Sequence, residues 1–169
     1  MKTKTLSGLL VLSVSGCMSY APIDTPPQRV AFASETARDN VHDFSSVAIR
    51  TIKGEGSKKA EVKGAACTLR GTGYSARVIT PAMVELPTYL GKTDPVQVTC
   101  TAGAMSAAET VKPYNLTLAN IKSAQASGGG LVGVLAVAVT KGIMKSARDP
   151  SKDIYAYRDS IALTLATGQ

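Results

Sequence analysis

The chain has 169 residues, with 19 Lys or Arg against 12 Asp or Glu and a formal net charge of +7. With two Phe, six Tyr and no Trp, aromatics are too sparse for a base-stacking platform, which argues against a nucleic-acid partner. One histidine and three cysteines with no Cys-x-x-Cys pair argue against a zinc site and against disulfide-exchange chemistry.

The N-terminus comes first. Lys2 and Lys4 form a basic head, and Leu6 to Val14 form an apolar core broken only by Ser7, Gly8 and Ser13. This core is too short to span a bilayer, which takes about 20 apolar residues. It fits a cleavable export signal with a small-residue cut site. The run Val14-Ser15-Gly16-Cys17 closes it and resembles the signal of bacterial lipoproteins. An ordinary secretory signal that happens to hold a cysteine, or a short cytoplasmic helix, are the alternatives. The resemblance implies cleavage between Gly16 and Cys17, a diacylglyceryl group on the Cys17 thiol and an N-acyl chain on its amine. More than one chain makes anchoring effectively stable, because each buried methylene contributes about 0.8 kcal/mol. Met18 stands where an aspartate would signal inner-membrane retention in Gram-negative lipoproteins. The resemblance therefore implies an outer-membrane anchor facing the periplasm, with the cell surface or the inner-membrane outer leaflet as alternatives.

Residues 17–33 read as the anchor and a flexible tether, and residues 34–169 as a single β-rich domain. Met18 to Val30 carries three prolines and little periodicity, which suits an extended spacer. Residues 33–44 suit a short helix or a polar loop. Val47, Ile49 and Thr51 alternate with Ala48, Arg50 and Ile52, as in a strand with a partly buried face. Residues 54–64 form a polar, glycine-punctuated turn. Strands follow at Cys67–Arg70, Ser75–Thr80, Met83–Leu86 and Val96–Thr101, with a further one over Glu109–Lys112. Gly71-Thr72-Gly73, Pro81 and Gly91 to Pro95 punctuate them. Short strands with such signals predict a mainly β (α+β) fold, a small antiparallel sandwich.

Cys67 and Cys100 both lie in strand-like runs, and export to an oxidising compartment favours their pairing. Two buried free thiols are the alternative. Their bridge would close a loop of about 33 residues, with roughly 3–4 kcal/mol of stabilisation from chain entropy.

Thr80-Pro81, the alternating run Val96 to Thr101 and the approach to Gly103 resemble PEGA-like surface modules over about residues 65–112. The cysteine-bearing version is similar to a group of small proteobacterial lipoproteins. The resemblance implies an envelope interaction or spacer module, with no catalytic residues to carry over.

Gly128-Gly129-Gly130 opens the apolar run 131–139. It reads as a glycine-led helix near the C-terminus, buried or lipid-facing because it is apolar all round. A buried strand or a membrane-inserting segment are the alternatives. Leu131, Val132, Val134 and Leu135, with Lys141 and Lys145 beyond them, are the candidate contacts to a partner or a lipid. Ile161, Leu163 and Leu165 alternate with Ala162, Thr164 and Ala166 as a terminal strand.

The chemistry-bearing residues are sparse. His42 stands alone in a loop, no Gly-x-Ser-x-Gly elbow marks a nucleophile, and Asp149, Asp153 and Asp159 read as surface charges. No cofactor is expected beyond the lipid on Cys17. The reading is a membrane-anchored envelope lipoprotein, not an enzyme, acting as a structural, assembly or interaction module. Its partner is an envelope protein or an anionic glycan or lipid that meets the basic surplus. A binding module for a small apolar ligand or lipid is the alternative, and an envelope-polymer hydrolase ranks below both.

Overall fold

A computed structural model describes residues 19–123 and 148–167. The elements in chain order are β1 (Gln28–Arg29), β2 (Ala31–Phe32), α1 (Glu35–Asp39), β3 (Asp43–Lys53), β4 (Ala60–Glu61), β5 (Ala66–Gly71), β6 (Tyr74–Ile79) and β7 (Ala82–Thr88). They continue with β8 (Val96–Ala102), β9 (Met105–Val111), β10 (Tyr114–Asn115), α2 (Leu116–Ser123), β11 (Tyr155–Ala156), β12 (Ser160–Thr164) and β13 (Ala166–Thr167). The protein is mainly β, a small sandwich, as its alternating runs predict. The expected apolar helix lies outside the described residues.

One sheet runs β1-β7-β3-β12, with β4 paired to β3; the second runs β13-β9-β8-β5-β6-β2; β10 and β11 form a separate two-stranded antiparallel ribbon. The second sheet is antiparallel throughout. The first is mixed, because β1 lies parallel to β7 and β12 parallel to β3. Alternation builds most of the core, although β3 also buries Ala48 and Ile52 from its other face. Val47, Ile49 and Thr51 from β3 and Val84 and Leu86 from β7 are buried, as are Leu69 from β5, Val78 from β6 and Val96 and Val98 from β8. Ile161 and Leu163 of β12 join them.

Each end of the domain crosses between the sheets. β1 edges the first sheet and, one residue later, β2 edges the second; Val30 between them is buried. β12 and β13 do the same on the far side, with Leu165 buried between them. Such sheet-switching corners join facing sheets. Together they cover part of the outer edges of β7, β6 and β9, two residues on each, and so reduce the exposed-edge liability of a sandwich. This corrects the boundary expected at residue 33. Gln28 to Phe32 is structural strand, because Val30 is an apolar side chain that the corner buries.

Two hairpin details come directly from composition. Gly103 sits at φ +58 at the first central position of the β8–β9 turn, where a side chain is disfavoured. Gly71 pairs with Tyr74 across β5 and β6, and the Tyr74 ring occupies the space a Cβ would need. Phe32 packs edge-on to that ring at 6.5 Å between centroids.

Cys67 and Cys100 face each other in register on β5 and β8 and are joined by a disulfide with a Cα–Cα distance of 4.1 Å. Both are buried in the core. The bridge therefore staples the two central strands of the six-stranded sheet. Replacing both cysteines by alanine is expected to cost about 3–4 kcal/mol in urea unfolding through the chain-entropy loss. A difference below about 1 kcal/mol would mean that the sheet does not rely on the bridge.

Candidate functional site

The outward side chains of the six-stranded sheet form a regularly patterned surface. The alternation that buries Cys67, Leu69, Ala76, Val78, Val96, Val98 and Cys100 turns Thr68, Arg70, Ser75, Arg77, Gln97 and Thr99 the other way. Register places them in rows. Thr68 is opposite both Arg77 and Thr99, and Arg70 is opposite both Ser75 and Gln97. Thr110 and Ala108 of β9 extend the same rows beyond Gln97 and Thr99. Arg70 and Arg77 are diagonal neighbours across β5 and β6, a spacing of about 7–8 Å between backbones.

Among the described residues, no carboxylate of these strands projects from this face. Glu109, the only acid in these strands, is opposite Val98 and so belongs to the other side. Arg70 and Arg77 form no ion pair among the described residues. Shallow grooves of about 380 and 310 Å³ run along the face and share Thr68 and Arg70. Two guanidinium forks among hydroxyls and an amide suit bidentate contacts to carboxylate or phosphate, with neutral hydrogen bonds to flanking hydroxyls.

At one end of the sandwich lies a cleft of about 280 Å³ lined by Thr72, Tyr74, Tyr89, Lys92 and Asp94. Tyr157 donates to the Asp94 carbonyl at 2.6 Å, and its oxygen lies 3.2 Å from the Tyr74 hydroxyl. Its one proton is committed to the carbonyl, so Tyr74 is the donor of that pair. Burial pushes the Tyr74, Tyr89 and Tyr157 phenols up. They are therefore neutral hydrogen-bonding groups at ordinary pH rather than bases.

The N-terminal arm forms a third arrangement. Arg50 and Glu61 pair at 2.6 Å, both largely shielded from water. Glu61 Oε2 accepts from the Ala21 N–H at 2.7 Å, and Arg50 donates to the Ala21 carbonyl at 2.9 Å. The Arg50 guanidinium also lies 4.8 Å from the centre of the Tyr20 ring, a cation–π contact. Chain expected to hang free as tether is thus clamped to the first sheet.

The sequence-based candidates divide clearly. Cys67 and Cys100 come together. Gly16, Cys17, Leu131, Val132, Val134, Leu135, Lys141 and Lys145 lie outside the described residues. His42 is exposed, and its side chain bonds neither a serine nor an aspartate among them. Asp149, exposed as expected, caps a short turn at Pro150–Lys152. Asp153, expected on the surface, is instead buried. It lies 2.8 Å from Arg148 Nε, an ionic contact without aligned hydrogen-bond geometry, and accepts from Asn115 at 2.6 Å. Asn115 in turn accepts from the Leu118 N–H at the start of α2. The burial is tolerable because the charge is paired and hydrogen-bonded.

The cationic face was readable only in part. Its arginines are visible in the sequence, but their convergence depends on pairing β5 with both β6 and β8. No protein-family model matches the chain, and no curated protein or solved structure matches it either.

The clamp carries a pH signature. Burial alone would raise the Glu61 carboxyl, but the Ala21 N–H, the Arg50 hydrogen bond and charge, and the Lys63 charge hold it below its ordinary value. A lowered carboxyl stabilises the clamp fully above the unfolded value of 4.5 and loses that effect as pH falls through the folded value. The Ala21 amide resonance is expected to titrate with a midpoint below 4.5, and not at all in Glu61→Gln. A midpoint at or above that value would contradict the clamp.

Proposed function

We propose that this chain is a lipid-anchored envelope protein whose six-stranded sheet presents its Arg70–Arg77 face to an anionic glycan. The observation that carries this reading is a shallowly grooved, hydroxyl-rich surface whose two guanidinium groups form no ion pair, and which bears no carboxylate, among the described residues. The small residues around them leave room for an extended polymer to lie along the strands. Lipid on Cys17 would hold the face close to such a polymer. Tethering raises effective concentration, so modest intrinsic affinity suffices. The outer membrane, viewed from the periplasm, is the location that Cys17 and Met18 favour.

The arrangement works by binding and positioning rather than by bond making. Each arginine contributes a planar donor pair to a carboxylate or phosphate, and Thr68, Thr99 and Gln97 contact neutral sugar hydroxyls between charged groups.

The direct test is co-sedimentation of the oxidised full chain with purified peptidoglycan sacculi and, separately, with phosphate-bearing lipopolysaccharide. The unaltered chain should bind at least one of these polymers, more weakly as salt rises. Arg70→Ser/Arg77→Ser should weaken that binding about tenfold or more, given roughly 1 kcal/mol or more for each charged hydrogen-bonding group. Equal binding by both chains would remove the face from the account. In cells, Cys17→Ala should move the exported protein from the membrane to the soluble fraction; retention on the membrane would remove the anchor.

A further inference from the structure

The clamped arm fixes where an anchor would leave the domain, and the surface at that point is strongly basic. Ser19 to Pro22 runs in a groove of about 550 Å³ whose other wall is Lys59 to Glu61 and Lys63. Lys53 is opposite Ala60 across β3 and β4, and Lys58 ends the short turn at Gly56–Lys58 that joins these strands. All four lysines are exposed, and none forms an ion pair among the described residues. The acids nearby are few. Glu61 is already paired to Arg50, which leaves Glu55 in the same connection and Asp24 in the arm.

The geometry points to this lysine-bearing end of the first sheet as a surface that rests on anionic lipid headgroups. The inference deepens the anchored reading, because it names what the anchored domain touches. Only Met18 lies between Cys17 and Ser19, so the two are two residue steps apart. Extended chain covers at most about 3.6 Å per residue, so an acylated Cys17 lies within roughly 7 Å of Ser19. Screening at physiological salt acts over about 8 Å. The lysines would therefore sit inside the reach of the headgroup charge rather than being lifted away from it. Ammonium groups on flexible stems suit this partner, because headgroups are mobile and demand no fixed fork geometry. Each lysine near an anionic surface strengthens partitioning by about fivefold.

The test uses the full chain carrying Cys17→Ser, so that no acyl group contributes. Its partitioning is compared on phosphatidylcholine vesicles and on vesicles that also carry phosphatidylglycerol. Any insertion of the apolar residues near the N-terminus contributes equally to all variants, so the anionic preference is read between variants. The Cys17→Ser chain should prefer the anionic vesicles, and salt should abolish the preference. Lys59→Gln/Lys63→Gln should reduce it about tenfold or more. Lys112→Gln/Lys152→Gln, exposed and outside this patch, should leave it nearly unchanged. Equal partitioning on both vesicles would overturn the inference. So would equal losses in the two double variants, which would assign the preference to net charge alone. Neither result bears on acylation, which intact-mass analysis of the natural protein decides separately.

Discussion

The burial of Val30 and Leu165 at the two sheet-switching corners is the constraint on which the rest of the structure depends. Each is the single residue between two short strands that belong to different sheets. Burying them joins the sheets on both sides and turns an open sandwich into a closed, flattened one. The closure also sets direction. The chain enters the first corner with its preceding residues lying along the first sheet, where Arg50 and Glu61 hold Ala21. The six-stranded sheet is left with one clear outward face. That face is assembled by the β5–β6 and β5–β8 pairings, the second of which carries the disulfide.

The two basic surfaces differ in chemistry as well as in place. The arginines of the six-stranded sheet are planar forks set among threonines, suited to fixed carboxylates or phosphates. The lysines around the arm are compact charges on long stems, suited to a mobile anionic layer. They belong to opposite sheets of the sandwich. Part of the basic surplus read from composition thus falls in two clusters, Arg70 with Arg77 and Lys53, Lys58, Lys59 and Lys63.

The long strands were legible because their period is two and their inward residues are branched or apolar, as at Val47 to Thr51, Val96 to Cys100 and Ile161 to Leu165. The disulfide was legible because both cysteines fall on such strands. β1 and β2 were not, since two-residue strands carry no periodicity and Pro26-Pro27 just before them reads as spacer. β7 runs through Pro87, although proline normally breaks a strand; its pairing there is with Phe44 at the outer end of β3. β9 begins at Met105 rather than near Glu109, because its small alternating residues, Ser106, Ala107 and Ala108, hide the pattern. α2 was missed for a related reason: its cap and its partner, Asn115 and Asp153, are 38 residues apart. The parallel pairings of β1 and β12 are set by topology alone and leave no local trace.

Amide hydrogen exchange at the two corners tests the closed fold most directly. The Ala33 N–H donates to the Gly73 carbonyl at 2.9 Å, and the Leu165 N–H donates to the Ile52 carbonyl at 2.8 Å. The account predicts that both exchange as slowly as the β8 core amides around Val98, because opening either corner requires parting the sheets. Exchange at either site at the fast rate of an unstructured arm, with β8 still protected, would contradict it.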